Sequence, residues 1–291
     1  MVSFYNRLHG IAFCFLLGCC DASEPTALLP TDSQLRARAL VSFESVDMYK
    51  PVASERADLD VYHAPIFYRE HPAEARSIDQ ALEFGALNLR GGQLALDVQR
   101  PTVYTHRSSV VQAGMEHEQI IFLWFRVQGT RLAAQGLRLT YGADGFPAIY
   151  EVLGDSSGRT LFFVSRALEL LAGEVLGDPI EGRLYAVEPS PLERPDVLVV
   201  RTVSQGAEPL GPLVYDEHGS SDVIQLHCRC APSQLKAIGA SVSYELVDVE
   251  QLPENLRRQL AVEMGWGDAA TDLGFPDPTW PLTSLRLPDV F

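Results

Sequence analysis

A chain of 291 residues with 46% hydrophobic content is long enough to bury a substantial core. Its formal charge of -15 and pI of about 4.8 argue against nucleic-acid binding, because phosphate contacts need clustered Lys and Arg and the sequence holds no basic run. Arginine carries nearly all of the positive charge, Lys50 and Lys236 being the only lysines.

The first segment reads as a processing signal. Residues 1–10 carry Arg7 and no acid, and Ile11 to Leu17 form a short apolar run followed by small residues at Gly18, Ala22 and Ser23. That is the pattern of an export signal, and the run falls well short of the roughly 20 apolar residues a membrane-spanning helix needs. Within it, Leu16-Leu17-Gly18-Cys19 resembles the lipobox of bacterial lipoproteins. The resemblance implies removal of residues 1–18, lipidation of Cys19, and a membrane anchor in the cell envelope. Cys14 would leave with the signal, and Cys20 has Cys19 where a lipobox has a small residue. Such an anchor is durable, since each buried acyl CH₂ contributes about 0.8 kcal/mol.

Residues 19–38 (CCDASEPTALLPTDSQLRAR) have the Pro, Ser and Thr content of a flexible tether. The folded part is expected from Ala39 to Phe291 as a single domain with a Pro-rich C-terminal tail. Three helices are predicted. Ser77 to Gln80 matches a capping box opening a helix with Ile78, Ala81 and Leu82 inward. Ser165 is an N-cap for a helix over Arg166 to Val175, and Pro253 opens one that ends at Gly265.

Strands are more numerous. Leu87 to Asp97 alternates apolar and polar residues around Gly91-Gly92, a hairpin pattern. Further strands are predicted over Pro101–Val111, His117–Val127, Leu137–Tyr141, Ile149–Leu153, Leu161–Val164, Arg183–Val187, Val197–Val203, Val223–Cys230 and Ala240–Val247. Residues 120–125 (IIFLWF) are apolar on both faces and belong inside a sheet. The expected class is α+β, a mostly antiparallel sheet with a few helices.

Candidate chemistry is sparse. In a strand, Ile224, Leu226, Cys228 and Cys230 share one face, while Gln225, His227 and Arg229 share the other. The cysteines then read as buried thiols, a strained disulfide or half of a metal site. His63, His71, His106 and His117, with Glu118 beside the last, form the one group with the donor types for zinc or a similar divalent ion. The loop Asp216-Glu217-His218-Gly219-Ser220-Ser221-Asp222 gathers Ser, His and acids, but has no Gly-x-Ser-x-Gly elbow and reads as turn chemistry. Rings at Tyr141, Phe146, Phe275, Trp280 and Phe291 offer stacking surfaces or simple loop anchors. No phosphate-cradling glycine loop is present.

Two expectations follow. One is an exported, lipid-anchored, non-enzymatic envelope protein without a cofactor, whose domain binds a protein or small molecule or serves a structural role. The other is an exported metal-dependent enzyme using the His/Glu group between residues 63 and 118.

Overall fold

The IIFLWF segment sets the architecture. In the computed structural model, Ile120, Phe122 and Trp124 point to one buried cluster and Ile121, Leu123 and Phe125 to another. The structure describes residues 29–41, 43, 45–52, 59–70, 84–128, 131–204, 211–217, 222–228, 237–264 and 277–291. The export signal, Cys19, the helix expected from Ser77, and His71 lie outside them.

Among the described residues, thirteen strands and five α-helices follow in chain order. They are α1 (Asp32–Arg38), β1 (Ser45–Pro51), α2 (Leu59–His63), β2 (Ile66–Glu70), β3 (Ala86–Arg90), β4 (Gln93–Asp97) and β5 (Thr102–Gln112). Next come β6 (Met115–Gln128), β7 (Arg131–Tyr141), β8 (Pro147–Leu153), β9 (Thr160–Ser165), α3 (Arg166–Leu176), β10 (Val197–Val203) and β11 (Pro212–Asp216). The last are β12 (Val223–Cys228), β13 (Ala237–Asp248), α4 (Glu254–Met264) and α5 (Trp280–Ser284).

Eleven of the strands form one mixed sheet in the order β10-β9-β8-β7-β6-β5-β13-β1-β2-β11-β12. Its two edge strands, β10 and β12, approach each other, so the sheet curls into a nearly closed barrel. One apolar cluster takes a side chain from all eleven strands, among them Tyr49, Phe67, Val103, Trp124, Leu137, Tyr150, Leu161, Leu198, Val214, Val223 and Tyr244. That cluster is the barrel interior, and it is filled with side chains.

The expected α+β class is therefore corrected. With 48% strand and 19% helix among the described residues, the protein is mostly β, and its sheet is mixed. Four neighbouring pairs run parallel: β1 with β13, β13 with β5, β2 with β11, and β9 with β10. Parallel neighbours need crossover connections that hairpin signals do not report.

Outer clusters cover the barrel wall. The β3–β4 hairpin and α4 lie over Ile121, Leu123 and Phe125, while α3 and the C-terminal segment lie over Phe162, Val164, Val197 and Val199. The hairpin turns at Gly91 and Gly92, whose φ of 61° and 83° are left-handed and suit glycine. Ser165 caps α3 by accepting from the Leu168 amide at 3.0 Å, as its sequence position predicts.

Three local expectations change. Arg183 to Val187 forms turns, not a strand, because the Glu188 carboxylate accepts from Arg183 Nη1 at 3.0 Å and from the Leu184 amide at 3.2 Å. The alternation along β12 is broken. A register shift opposite Tyr215 and Asp216 sends Leu226 to the interior and Ile224 to the outer cluster of Tyr68 and Tyr215. Cys230 and the side chain of Cys228 lie outside the described residues.

The folded part also begins before the expected Ala39. Residues 32–38, placed in the tether by composition, form α1 in the seam between β10 and β12. Leu35 enters the interior cluster. Arg36 donates to the Val199 carbonyl at 3.2 Å and to both oxygens of Glu188 at 2.8 and 2.9 Å.

Candidate functional site

At one end of the barrel the interior turns from apolar to charged. β2, β6, β8 and β11 end there, and β7, β9 and β12 begin there. Alternation fixes which side chains face inward. Phe67, Val214, Trp124 and Leu137 belong to the interior cluster, so Arg69, Asp216, Arg126 and Gln135, each two residues along the same strand, share that face. All four are buried.

Two of them are neighbours in register, Asp216 lying opposite Arg69 across the parallel β2–β11 pair. Among the described residues, neither oxygen of Asp216 has a hydrogen-bond partner, nor do Nε and Nη2 of Arg69 or Nε2 of Gln135. The Arg69 guanidinium lies over the Tyr49 ring, 5.6 Å from its centroid. Gln135 spends its oxygen on the Trp124 indole at 3.0 Å. Burial pushes the Asp216 carboxyl up to about 7, against the opposing pull of Arg69 and Arg126 and with the help of Asp222. Burial likewise lowers the Arg126 pKa, with Asp216 and Asp222 pulling the other way.

A rim of further polar groups surrounds these four. Asp222 accepts from the Ser156 amide at 3.2 Å and from its hydroxyl, and lies 3.7 Å from Arg38 on α1. Arg38 also pairs with Glu217 at 2.7 Å. Asp155 accepts from the Ser157 amide at 2.8 Å, and burial raises its pKa. A small pocket beside this rim is lined by Leu35, Arg38, Asp155, Leu161, Phe163, Val200, Val223 and Ile224. Buried polar atoms without partners are uncommon because each one costs about 1–3 kcal/mol. Among the described residues such atoms also occur singly elsewhere, as at Arg138, Tyr141 and Glu151, but at this end Arg69 and Asp216, partners in register, each carry two.

The residues singled out for metal binding lie elsewhere. His63 ends α2 over the opposite end of the barrel, with its ring 5.0 Å from that of Tyr141 and 5.8 Å from that of Tyr62. Glu118 is at that same end, where Arg107 joins it at 2.7 Å and Asp60 at 2.6 Å. His117 faces outward, its Nδ1 2.9 Å from the Tyr141 carbonyl and its ring stacked on Phe291 at 4.4 Å. His106 on β5 lies 3.7 Å from Glu250. Among the described residues no group of three or more His, Cys, Asp or Glu is placed to hold a metal ion.

The loop from Asp216 to Asp222 did attract notice in the sequence, for its serines and histidine. Its two end acids are what the fold uses, and Arg69, Arg126 and Gln135 carried no sequence signal beyond being polar residues in apolar strands. No protein-family model, curated protein or solved structure matches this chain.

Proposed function

We propose that this is an exported envelope protein, held on a membrane by a lipid on Cys19, whose barrel is a non-enzymatic binding domain working through its charged mouth. The observation that supports the reading is the buried group of Arg69, Gln135 and Asp216, whose hydrogen-bonding capacity is in part left unmet among the described residues, with the Arg126 side chain buried on the same face. A filled aromatic interior under the mouth suits a rigid scaffold that binds at its end, not a carrier that swallows a large apolar ligand. The anchor rests on the lipobox-like Leu16-Leu17-Gly18-Cys19.

Fractionation of a Cys19→Ser variant tests the anchor. The parent is expected in the membrane fraction and the variant in the soluble one, with incorporation of labelled fatty acid lost. A variant that stays with the membrane and keeps its label would sink the lipoprotein reading.

A further inference from the structure

The unmet groups in the mouth are of two opposite kinds, and they are adjacent. Arg69 offers Nε and Nη2, the edge of a guanidinium that grips a carboxylate through two parallel hydrogen bonds. Asp216 offers two bare carboxylate oxygens, which suit an ammonium group. From these and the reading above we infer that the mouth binds one small zwitterion, the carboxylate-and-ammonium head of a free amino acid, between Arg69 and Asp216.

Three further observations select this ligand. First, Arg69 and Asp216 are register partners on neighbouring strands, so the two poles they bind are close together, as they are in an α-amino acid. Second, the mouth is close to charge balance, since Arg69 and Arg126 face Asp216 and Asp222. A lone anion or cation would bring in an uncompensated buried charge, which is costly, whereas a zwitterion adds none. Third, the floor beneath is closed by Phe67, Val214 and Trp124, all fully buried, so the site takes a head group with a small side chain. The stack of Arg69 on Tyr49 holds the guanidinium plane, and Gln135 Nε2 supplies another unused donor to the same interior face.

Calorimetric titration of the detergent-solubilised full chain tests the inference, with glycine and L-alanine as probes and acetate and methylammonium as half-ligands. One saturable site is expected for the amino acids, with each half-ligand binding at least about 100-fold more weakly, because each leaves one buried charged group unmet. Arg69→Lys keeps the charge and removes the two-donor edge, and Asp216→Asn keeps the shape and removes the charge. Each is expected to weaken glycine binding about tenfold or more without lowering the melting temperature.

Should either variant fail to fold, the parent alone still decides, since glycine must raise its melting temperature and the half-ligands must not. Acetate or methylammonium binding as tightly as glycine would overturn the zwitterion in favour of a single-charge site. No heat and no thermal shift up to about 10 mM glycine would mean that the groups are bridged by water alone. Either result leaves the anchored scaffold standing, which falls only on the Cys19→Ser fractionation.

Discussion

Among the described residues no donor reaches either oxygen of buried Asp216, so without a bound cation its ionised form is poorly solvated and folding favours the protonated acid. The sign of the linkage follows. With a folded pKa of about 7 against an ordinary 3.8, the folded state holds a proton that the unfolded chain has released. Stability then falls as pH rises between those two values, and levels off above them. The charged groups that act on Asp216 are Arg69, Arg126 and Asp222, and the two arginines already oppose the shift. Asp216→Asn removes the titration, so its stability relative to the parent should grow from about pH 5 to about pH 8 in urea melts. Parallel curves for parent and variant would show that Asp216 does not titrate in this window. Glu151, also at about 7 because of burial against Arg138, gives the parent a second contribution of the same sign that the variant retains. The sequence marked the 216–222 loop but not this chemistry, because the partners of Asp216 come from β2 and β6. No local pattern joins residues so far apart in the chain.

At the scale of elements, the strands bounded by turns were legible and the crossovers were not. Gly91-Gly92, the alternation of β4 and the double-faced apolar run of β6 are local signals, and each produced the expected element. β1 (SVDMYKP), β2 (IFYRE) and β11 (PLVYD) are short and mixed in polarity, and they become strands through pairing with distant partners. α1 was hidden by composition, although its Thr31-x-x-Gln34 pattern is a capping box. The Thr31 hydroxyl accepts from the Gln34 amide at 3.4 Å, and the Gln34 side chain accepts from the Thr31 amide at 2.8 Å. What holds this short helix is tertiary: Leu35 is buried in the barrel interior, and Arg36 bridges the β10 carbonyl of Val199 to Glu188. Seven residues would not stay helical by propensity alone. Leu35→Ala is therefore expected to cost about 2–5 kcal/mol in urea unfolding, the range for emptying a buried leucine site. A cost of a few tenths would mean that α1 merely rests on the seam.

At the scale of the whole molecule, the barrel is incomplete without α1. β10 and β12 are sheet edges, and exposed edges invite pairing with other chains. α1 covers that seam: Arg36 holds β10, Arg38 reaches Glu217 and Asp222 at the β11–β12 side, and Arg201 of β10 donates to the Ala39 carbonyl at 3.2 Å. The chain enters α1 beside the charged mouth, since Asp32 pairs with Arg159 and Leu29 lies close to Gly158, next to the 154–157 loop. Residues 19–28 can span at most about 35 Å, so under the proposed lipidation of Cys19 the mouth would stay near the membrane surface. From the same geometry the seam is expected to be the part of the barrel that opens first. Amide hydrogen exchange in Leu35→Ala should quicken in β10 and β12, while the centre of β6, paired on both sides and buried on both faces, keeps its protection. Equal acceleration in β6 would mean that the barrel unfolds as one unit and that α1 has no separate hold on the seam. If the seam opens alone, the hold of α1 and order at the mouth are linked through one helix, because Arg38 of α1 and Ser156 of the β8–β9 loop meet at Asp222.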